Sequence, residues 1–374
     1  MKEISMKNFL KMMLSLWLVL AAHSTLAQIK IGQTAGVTGA VAATVSEAIK
    51  GAKLYIDSVN SKGGVGGEKI ELITLDDQFD VKMAAENARI LIEEKKVVAL
   101  FLNRGTPHTE AIMPFLAKHS VPLVAPSTGA MLLHKPVNRY IFNVRSSYQR
   151  EVEKAIDHLF TVKNDRIAVV HVDDSFGLDA LTGAETAFTK HKAKPLVVLK
   201  ADRTKPDYAS IVPALVKANP QAVLWAGSGT AVSEGVKALR AAGSYATVVT
   251  LSNNASDGFI KLLGAQGEGV IVTQVFPAER ATSYGLVRQA QDLAKEAGQT
   301  LSPAMLEGFT GAKVLVEGLR RTAKPITGER LMTALNSMNR FDLGGLVVGY
   351  SAGDHTGLDF ADLSIIGRDG KFRR

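Results

Sequence analysis

Two short segments carry residue types that could grip an anion. The first, Leu102-Asn103-Arg104-Gly105-Thr106-Pro107, follows an apolar run and opens onto a helical pattern. Gly105 permits close backbone approach, Thr106 suits the N-cap of the helix, and Pro107 suits its first position. A helix N-terminus offers unpaired N–H groups and the positive end of the dipole, so this segment could hold a carboxylate. The plainer reading is a well-capped helix and nothing more. The second segment, Pro126-Ser127-Thr128-Gly129-Ala130, sets two hydroxyls beside a glycine at the carboxyl end of another strand. Hydroxyls and backbone amides together also suit a carboxylate. Neither segment is specific alone, but at adjacent strand ends of one sheet they predict a binding mouth.

Other constellations point away from chemistry. Ser127, His134 and Asp173 could be assembled into a nucleophilic triad on paper, yet the chain has no glycine-x-serine-x-glycine elbow. His108, His119, His158, His171 and His191 show no HExxH or similar metal spacing. The pairs Asp76-Asp77 and Asp173-Asp174 read as Asx turns and helix caps. Gly63-Gly64-Val65-Gly66-Gly67 follows a helix and precedes a strand, the reverse of a phosphate-binding loop, so it reads as a turn. With no cysteine, disulfides, thiolate metal sites and cysteine nucleophiles are excluded.

The elements that must position these segments alternate. Ile29-Lys30-Ile31-Gly32 has the strand period, and Val45, Ile49, Ala52, Ile56 and Val59 then recur at helical spacing. Strands at 69–73, 97–102 and 121–125 alternate with helices at 81–95 and 107–119. The pattern restarts at Arg166, with strands at 166–172, 195–200, 222–225 and 247–251 and helices near 178–191 and 207–218. The last hundred residues read as helices 282–297 and 303–321 followed by short strands. Strands separated by helices imply βαβ units and parallel sheets covered on both faces. Two such halves face each other across a cleft at the carboxyl ends of their strands.

The amino terminus reads as an export signal: Lys2, Lys7 and Lys11, then the apolar run 12–22, then Ser24-Thr25-Leu26-Ala27. Cleavage is expected after Ala27, since the apolar run is about half the ~20 residues that span a bilayer. Without cysteine there is no lipid anchor at that point, and the expected location is the bacterial periplasm. The formal charge of +8 becomes +6 once residues 1–27 are removed. The basic residues are scattered, except at Lys371–Arg374, so no nucleic-acid stripe is read. Hydrophobic residues make up 46% of the chain, enough for a core in each half.

In order and spacing, several segments resemble one family. They are Ile29–Gly32 with Thr38-Gly39-Ala40-Val41-Ala42, Lys62–Gly67, Glu71–Asp77, Val121–Ala130, and Asp173-Asp174-Ser175-Phe176-Gly177. Over essentially all of the mature chain they resemble the type I periplasmic solute-binding proteins of ABC transporters, in the leucine/isoleucine/valine-binding branch. The resemblance implies an α/β fold of two Rossmann-like lobes with parallel central sheets, joined by three crossings near 145, 275 and 355. Lobe 1 would comprise 28–145 plus 276–355, and lobe 2 146–275 plus 356–374. It implies a monomer that closes on a small-molecule ligand by hinge motion and docks on a membrane permease, with no cofactor, metal or catalytic residue. Thr106 falls where the family places a hydroxyl for the ligand's carboxylate and amino group. Ser127 and Thr128 fall in the carboxylate-holding segment, Phe176 where an aromatic covers the ligand, and Ser228 in a loop that supplies a second-lobe contact. Ser252 and Asn253 fall near the acidic partner of an α-ammonium group.

Two departures bear on the ligand. Gly129 stands where amino-acid binders commonly carry a second threonine, and Leu251–Ala255 contains no acid. A carboxylate handle is therefore expected, with amino acids leading and aromatic or aliphatic carboxylic acids next. Tyr148, at the first crossing, reads equally as a cleft residue or as hinge packing. Arg104 reads as a surface arginine, or else as the partner of a second anionic group. A sensor feeding a signalling receptor, and less so an α/β hydrolase, are the rival functions.

Overall fold

The computed structural model describes residues 28–374, so the expected export signal and its cleavage point lie outside the described residues. The first sheet contains β1 (Ile29–Ala35), β2 (Ile70–Asp76), β3 (Ala99–Phe101), β4 (Leu123–Val124) and β5 (Ile141–Phe142). Its order is β2-β1-β3-β4-β5 and every pairing is parallel. Between its strands run α1 (Ala42–Ser61), α2 (Val81–Arg89) and α3 (Thr106–His119). Helix α2 continues as a π-helical turn over Ile90–Glu94, which completes the helix expected at 81–95.

The second sheet contains β6 (Ile167–Val172), β7 (Val198–Ala201), β8 (Ala222–Ala226), β9 (Thr247–Thr250) and β10 (Ile271–Gln274). Later in the chain, β13 (Asp362–Ile366) and β14 (Phe372–Arg373) join it antiparallel at one edge. Helices α4 (Tyr148–Thr161) and α5 (Ser175–Lys190) cover one face. On the other lie α6 (Tyr208–Ala218), α7 (Gly229–Ala241) and α8 (Asp257–Leu263). Strand β6 is buried along its whole length, as a strand covered on both faces must be.

After β10 the chain returns to the first sheet with α9 (Gly285–Glu296), α10 (Pro303–Arg321), α11 (Gly328–Asn336) and a two-stranded ribbon, β11 (Phe341–Asp342) and β12 (Val347–Val348). Helix α10 is nearly all buried and lies against α1. A Cβ on Gly51 would sit 1.8 Å from the Met305 carbonyl oxygen, and one on Gly308 1.8 Å from that of Ala48, so reciprocal glycines let the two helices touch along their backbones. Helix α11 replaces part of the stretch expected as short strands. Thr327 caps it and Leu331, Met332 and Leu335 form its buried face, but Pro325 before it and Gly328 at its first position make the sequence look like a loop.

Three segments pass between the sheets: after β5, after β10 and before β13. The first and third are tied to each other. The Asn143 amide donates to the His355 carbonyl at 3.1 Å and the Leu358 amide to that of Val144 at 3.0 Å. The Tyr350 hydroxyl donates to the Asn143 carbonyl at 2.6 Å. The sequence thus folds as expected into two α/β lobes with parallel-dominated sheets.

Candidate functional site

The site grows from the carboxyl ends of β3 and β4. Beyond them the two chains stay in register: the Ser127 amide donates to the Asn103 carbonyl at 2.8 Å, and Arg104 and Ser127 form an isolated parallel bridge. Gly105, at φ 95°, then turns the chain into α3. Gly105 itself occupies the cap position, so Thr106 is the first helical residue and not the N-cap expected of it. Freed from capping, the Thr106 hydroxyl lies 2.7 Å from that of Thr128.

Arg104 is buried, 4% exposed, which corrects the reading of it as a surface residue. One Nη donates to the Ser127 hydroxyl at 3.0 Å and the other to the Asn253 main-chain carbonyl of the opposite lobe. Ser127 in turn donates to the Glu307 carboxylate at 2.9 Å. Among the described residues no carboxylate lies within ion-pair distance of Arg104. Burial lowers its pKa, against the opposing pull of Tyr148 and Glu307.

The second lobe supplies the facing wall. Asp174 caps α5 by accepting from the amides of Phe176 (2.9 Å) and Gly177 (3.2 Å), which fixes the Phe176 ring at the cleft. That ring meets Tyr148 edge-on at 4.8 Å, so Tyr148 reaches the cleft as well. Ser228 caps α7. Arg203 pairs with Asp174 and lies 5.0 Å over the ring of Phe79, which stacks on His108 at 4.4 Å. Between the lobes lies a narrow cavity of about 20 Å³ whose lining includes Arg104, Thr106, Tyr148, Phe176, Ser228 and Asn253 and no Asp or Glu, with Asp174 standing behind Arg203.

Of the residues expected at the site, Ser127 and Thr128 stand behind this lining, joined to it by hydrogen bonds to Arg104 and Thr106. Gly129 is held away from it: its carbonyl accepts from the Tyr148 amide at 2.7 Å. A Cβ on Gly129 would approach the Ser146 carbonyl oxygen to 2.5 Å, so a threonine has no room there. Ser252 belongs to a buried charge network below the cleft. Its hydroxyl lies 3.0 Å from Glu151 and 2.6 Å from Arg145, and its amide donates to Glu151 at 2.9 Å. Arg145, pressed over the Tyr148 ring at 4.7 Å, pairs with Glu151, which also accepts from Thr273.

Sequence reasoning missed Phe79, Arg203 and Glu307. The first two carry no local signal, and Glu307 lies inside a long helix that reads simply as core. His134 has no partner on either ring nitrogen, and its pKa is pushed down to about 4 by burial, so it is neutral and makes no pair with Ser127. Among the described residues no group of three metal-ligating side chains gathers.

Further contacts join the lobes around the cleft. Glu47 on α1 accepts from the amides of Gly258 (2.8 Å) and Asp257 (3.2 Å) at the start of α8, and from the Ser302 hydroxyl at 2.6 Å. The hydroxyls of Thr44 and Ser256 lie 2.9 Å apart.

Comparison with known proteins bears on the family and the fold. A family model described as periplasmic binding protein matches residues 28–360. The Leu/Ile/Val-binding protein homolog 3 of Brucella melitensis is 22% identical over 319 residues, 84% of this chain and 85% of that protein. Among solved structures, a possible leucine/isoleucine/valine-binding protein from Rhodopirellula baltica superposes with a TM-score of 0.88 at 23% identity, covering 95% of this chain and 98% of that one. A substrate-binding periplasmic protein from Ralstonia solanacearum gives 0.83 at 29% identity, with 92% and 99% covered.

Proposed function

Because the chain belongs to the periplasmic binding protein family, we propose that it is the substrate-binding component of an ABC transporter for a small carboxylate-bearing solute. The observation that carries the ligand class is Arg104, a buried guanidinium without a carboxylate partner in a cleft lined by no acid. A ligand carboxylate set between Arg104 and the Thr106 hydroxyl would neutralise it through charge-assisted bonds. Phe79, Tyr148 and Phe176 would cover the rest of the molecule, and Ser127 and Thr128 would hold the gripping groups in place.

The same charge explains why closure would depend on ligand. Bringing the lobes together buries Arg104, which costs several kcal/mol when it is unpaired and far less when an anion arrives with it. A ligand shifts a two-state equilibrium only by its differential affinity, and here the difference is the compensated charge. The lobes are taken as 28–145 plus 276–355 and 146–275 plus 356–374. The protein works as an exported periplasmic monomer, by binding alone, and hands its closed form to a permease.

Carboxylic acids without an α-ammonium group fit the cleft best, since Arg203 is already paired with Asp174, Arg104 is left without a carboxylate, and no lining acid would receive an ammonium. Amino acids form the second reading, favoured by the names of the relatives. Native mass spectrometry of the purified mature protein, followed by a thermal-shift panel of carboxylic and amino acids, tests the proposal. A co-purifying or stabilising carboxylate supports it. Stabilisation by uncharged or cationic solutes alone refutes it, as does chemical conversion of a bound compound.

A further inference from the structure

One polar atom on the cleft wall is left without a partner. Asn253 is 5% exposed and lines the cavity beside Arg104. Its amide orientation is settled by its neighbours. Nδ2 donates to the Gly227 carbonyl at 2.9 Å and to Asn254 Oδ1 at 3.2 Å, and turning the amide over would set oxygen against oxygen at both. Asn254 is locked likewise, donating to the same carbonyl at 3.1 Å and to the Thr250 hydroxyl at 2.9 Å. Asn253 Oδ1 is consequently a fixed acceptor, buried, with no hydrogen-bond partner. A buried acceptor left unmatched is destabilising, and native structures retain few of them without a reason.

We propose that Asn253 Oδ1 accepts a hydrogen bond from a hydroxyl of the ligand, so that the transported solute is a hydroxylated carboxylic acid. The inference rests on the carboxylate reading of Arg104. Position links the two, because Arg104 donates to the main-chain carbonyl of this same residue. A carboxylate on the guanidinium would therefore lie beside Asn253, within one small cavity. The charge balance selects among donors. An ammonium group brings three N–H bonds and a positive charge to a wall that offers only neutral acceptors and the uncompensated guanidinium of Arg104, Arg203 being paired with Asp174 behind it. A hydroxyl brings one donor and no charge. Among the described lining residues no acid is available to reverse this preference.

The test compares acids that share a carbon skeleton, by titration calorimetry on the mature protein: propanoate, lactate and alanine, and phenylacetate, mandelate and phenylglycine. In the trio that fits the cleft, the hydroxy acid is expected to bind about tenfold more tightly than the plain acid, and the amino acid more weakly than either. Asn253→Asp, nearly the same shape, keeps an acceptor for the hydroxyl and adds a negative charge, so it should improve the amino acid relative to the plain acid. Asn253→Ala should bring the hydroxy and plain acids to equal affinity, with circular dichroism checking that the fold persists. If acids bind but the hydroxyl adds nothing, or the amino acid binds best to the wild type, this inference falls while the carboxylate reading stands. If no acid of either set binds, both fall together.

Discussion

Replacing Arg104 by methionine separates the two roles argued for its charge. The guanidinium has five N–H donors, of which one reaches Ser127 at 3.0 Å and one the Asn253 carbonyl. The remainder are free for a carboxylate. Hydrogen bonds to charged groups contribute about 1.5–3 kcal/mol each, so losing two weakens binding by about 3–6 kcal/mol, on the order of 10²- to 10⁴-fold in Kd. The second role carries the opposite sign. Methionine fills a similar volume without charge, so the ligand-free variant no longer buries an unpaired cation when its lobes meet. Small-angle X-ray scattering should then find ligand-free Arg104→Met more compact than the ligand-free wild type, while calorimetry finds carboxylate binding nearly gone. A variant that keeps its carboxylate affinity within about threefold refutes the anion-holding role. A variant that loses affinity yet stays as open as the wild type refutes the account of closure.

Further outcomes follow from other contacts. Gly129→Thr should not create an amino-acid binder: its Cβ meets the Ser146 carbonyl, and the thermal midpoint should fall by the equivalent of about 1–3 kcal/mol. Glu47→Gln should weaken all ligands about three- to tenfold and equally, because it removes a charged acceptor between the lobes and nothing in the cleft. Asp77, pushed up to about 6 chiefly by burial, holds a proton in the folded state over a range where the unfolded chain has lost it. It therefore favours the fold below pH ~4 and loses that contribution, about 3 kcal/mol, as pH rises to about 6. His134, pushed down to about 4 by burial, acts oppositely, favouring the fold above pH ~6.5 and losing that contribution as pH falls toward 4. Thermal melts across pH 4–7 should show Asp77→Asn steepening the acid loss and His134→Leu flattening it; unchanged profiles would refute the assigned shifts.

How legible the molecule was depended on how local each determinant is. Helix α10 runs over the same residues, 303–321, that its periodicity marks, because Ser302 caps it and Pro303 starts it within the sequence itself. The paired aspartates read correctly for the same reason: Asp76 accepts from the amides of Val37, Thr38 and Gln78, and Asp174 from those of Phe176 and Gly177. The adjacency of the segments 102–107 and 126–130 was also legible, since neighbouring parallel strands end side by side. What escaped was set by distant partners. Arg104 is buried by a carbonyl 149 residues away, and Ser127 is engaged by a glutamate 180 residues away. No spacing rule reaches so far. Gly129 looked like a lost hydroxyl, whereas the close passage of residues 146–148 leaves space only for a hydrogen.

The bonding between the first and third connecting segments reaches beyond the fold itself. With the Asn143 and Val144 backbones tied to His355 and Leu358, the two segments form one ribbon rather than two independent threads. A paired ribbon flexes across its plane but resists sliding and torsion, because those would break its cross-links. Such a ribbon would favour a swing of the lobes about one axis over their rotation past each other. A membrane partner that grips both lobes would then read a single number, the angle between them, so bound and free protein could be told apart without any contact to the solute.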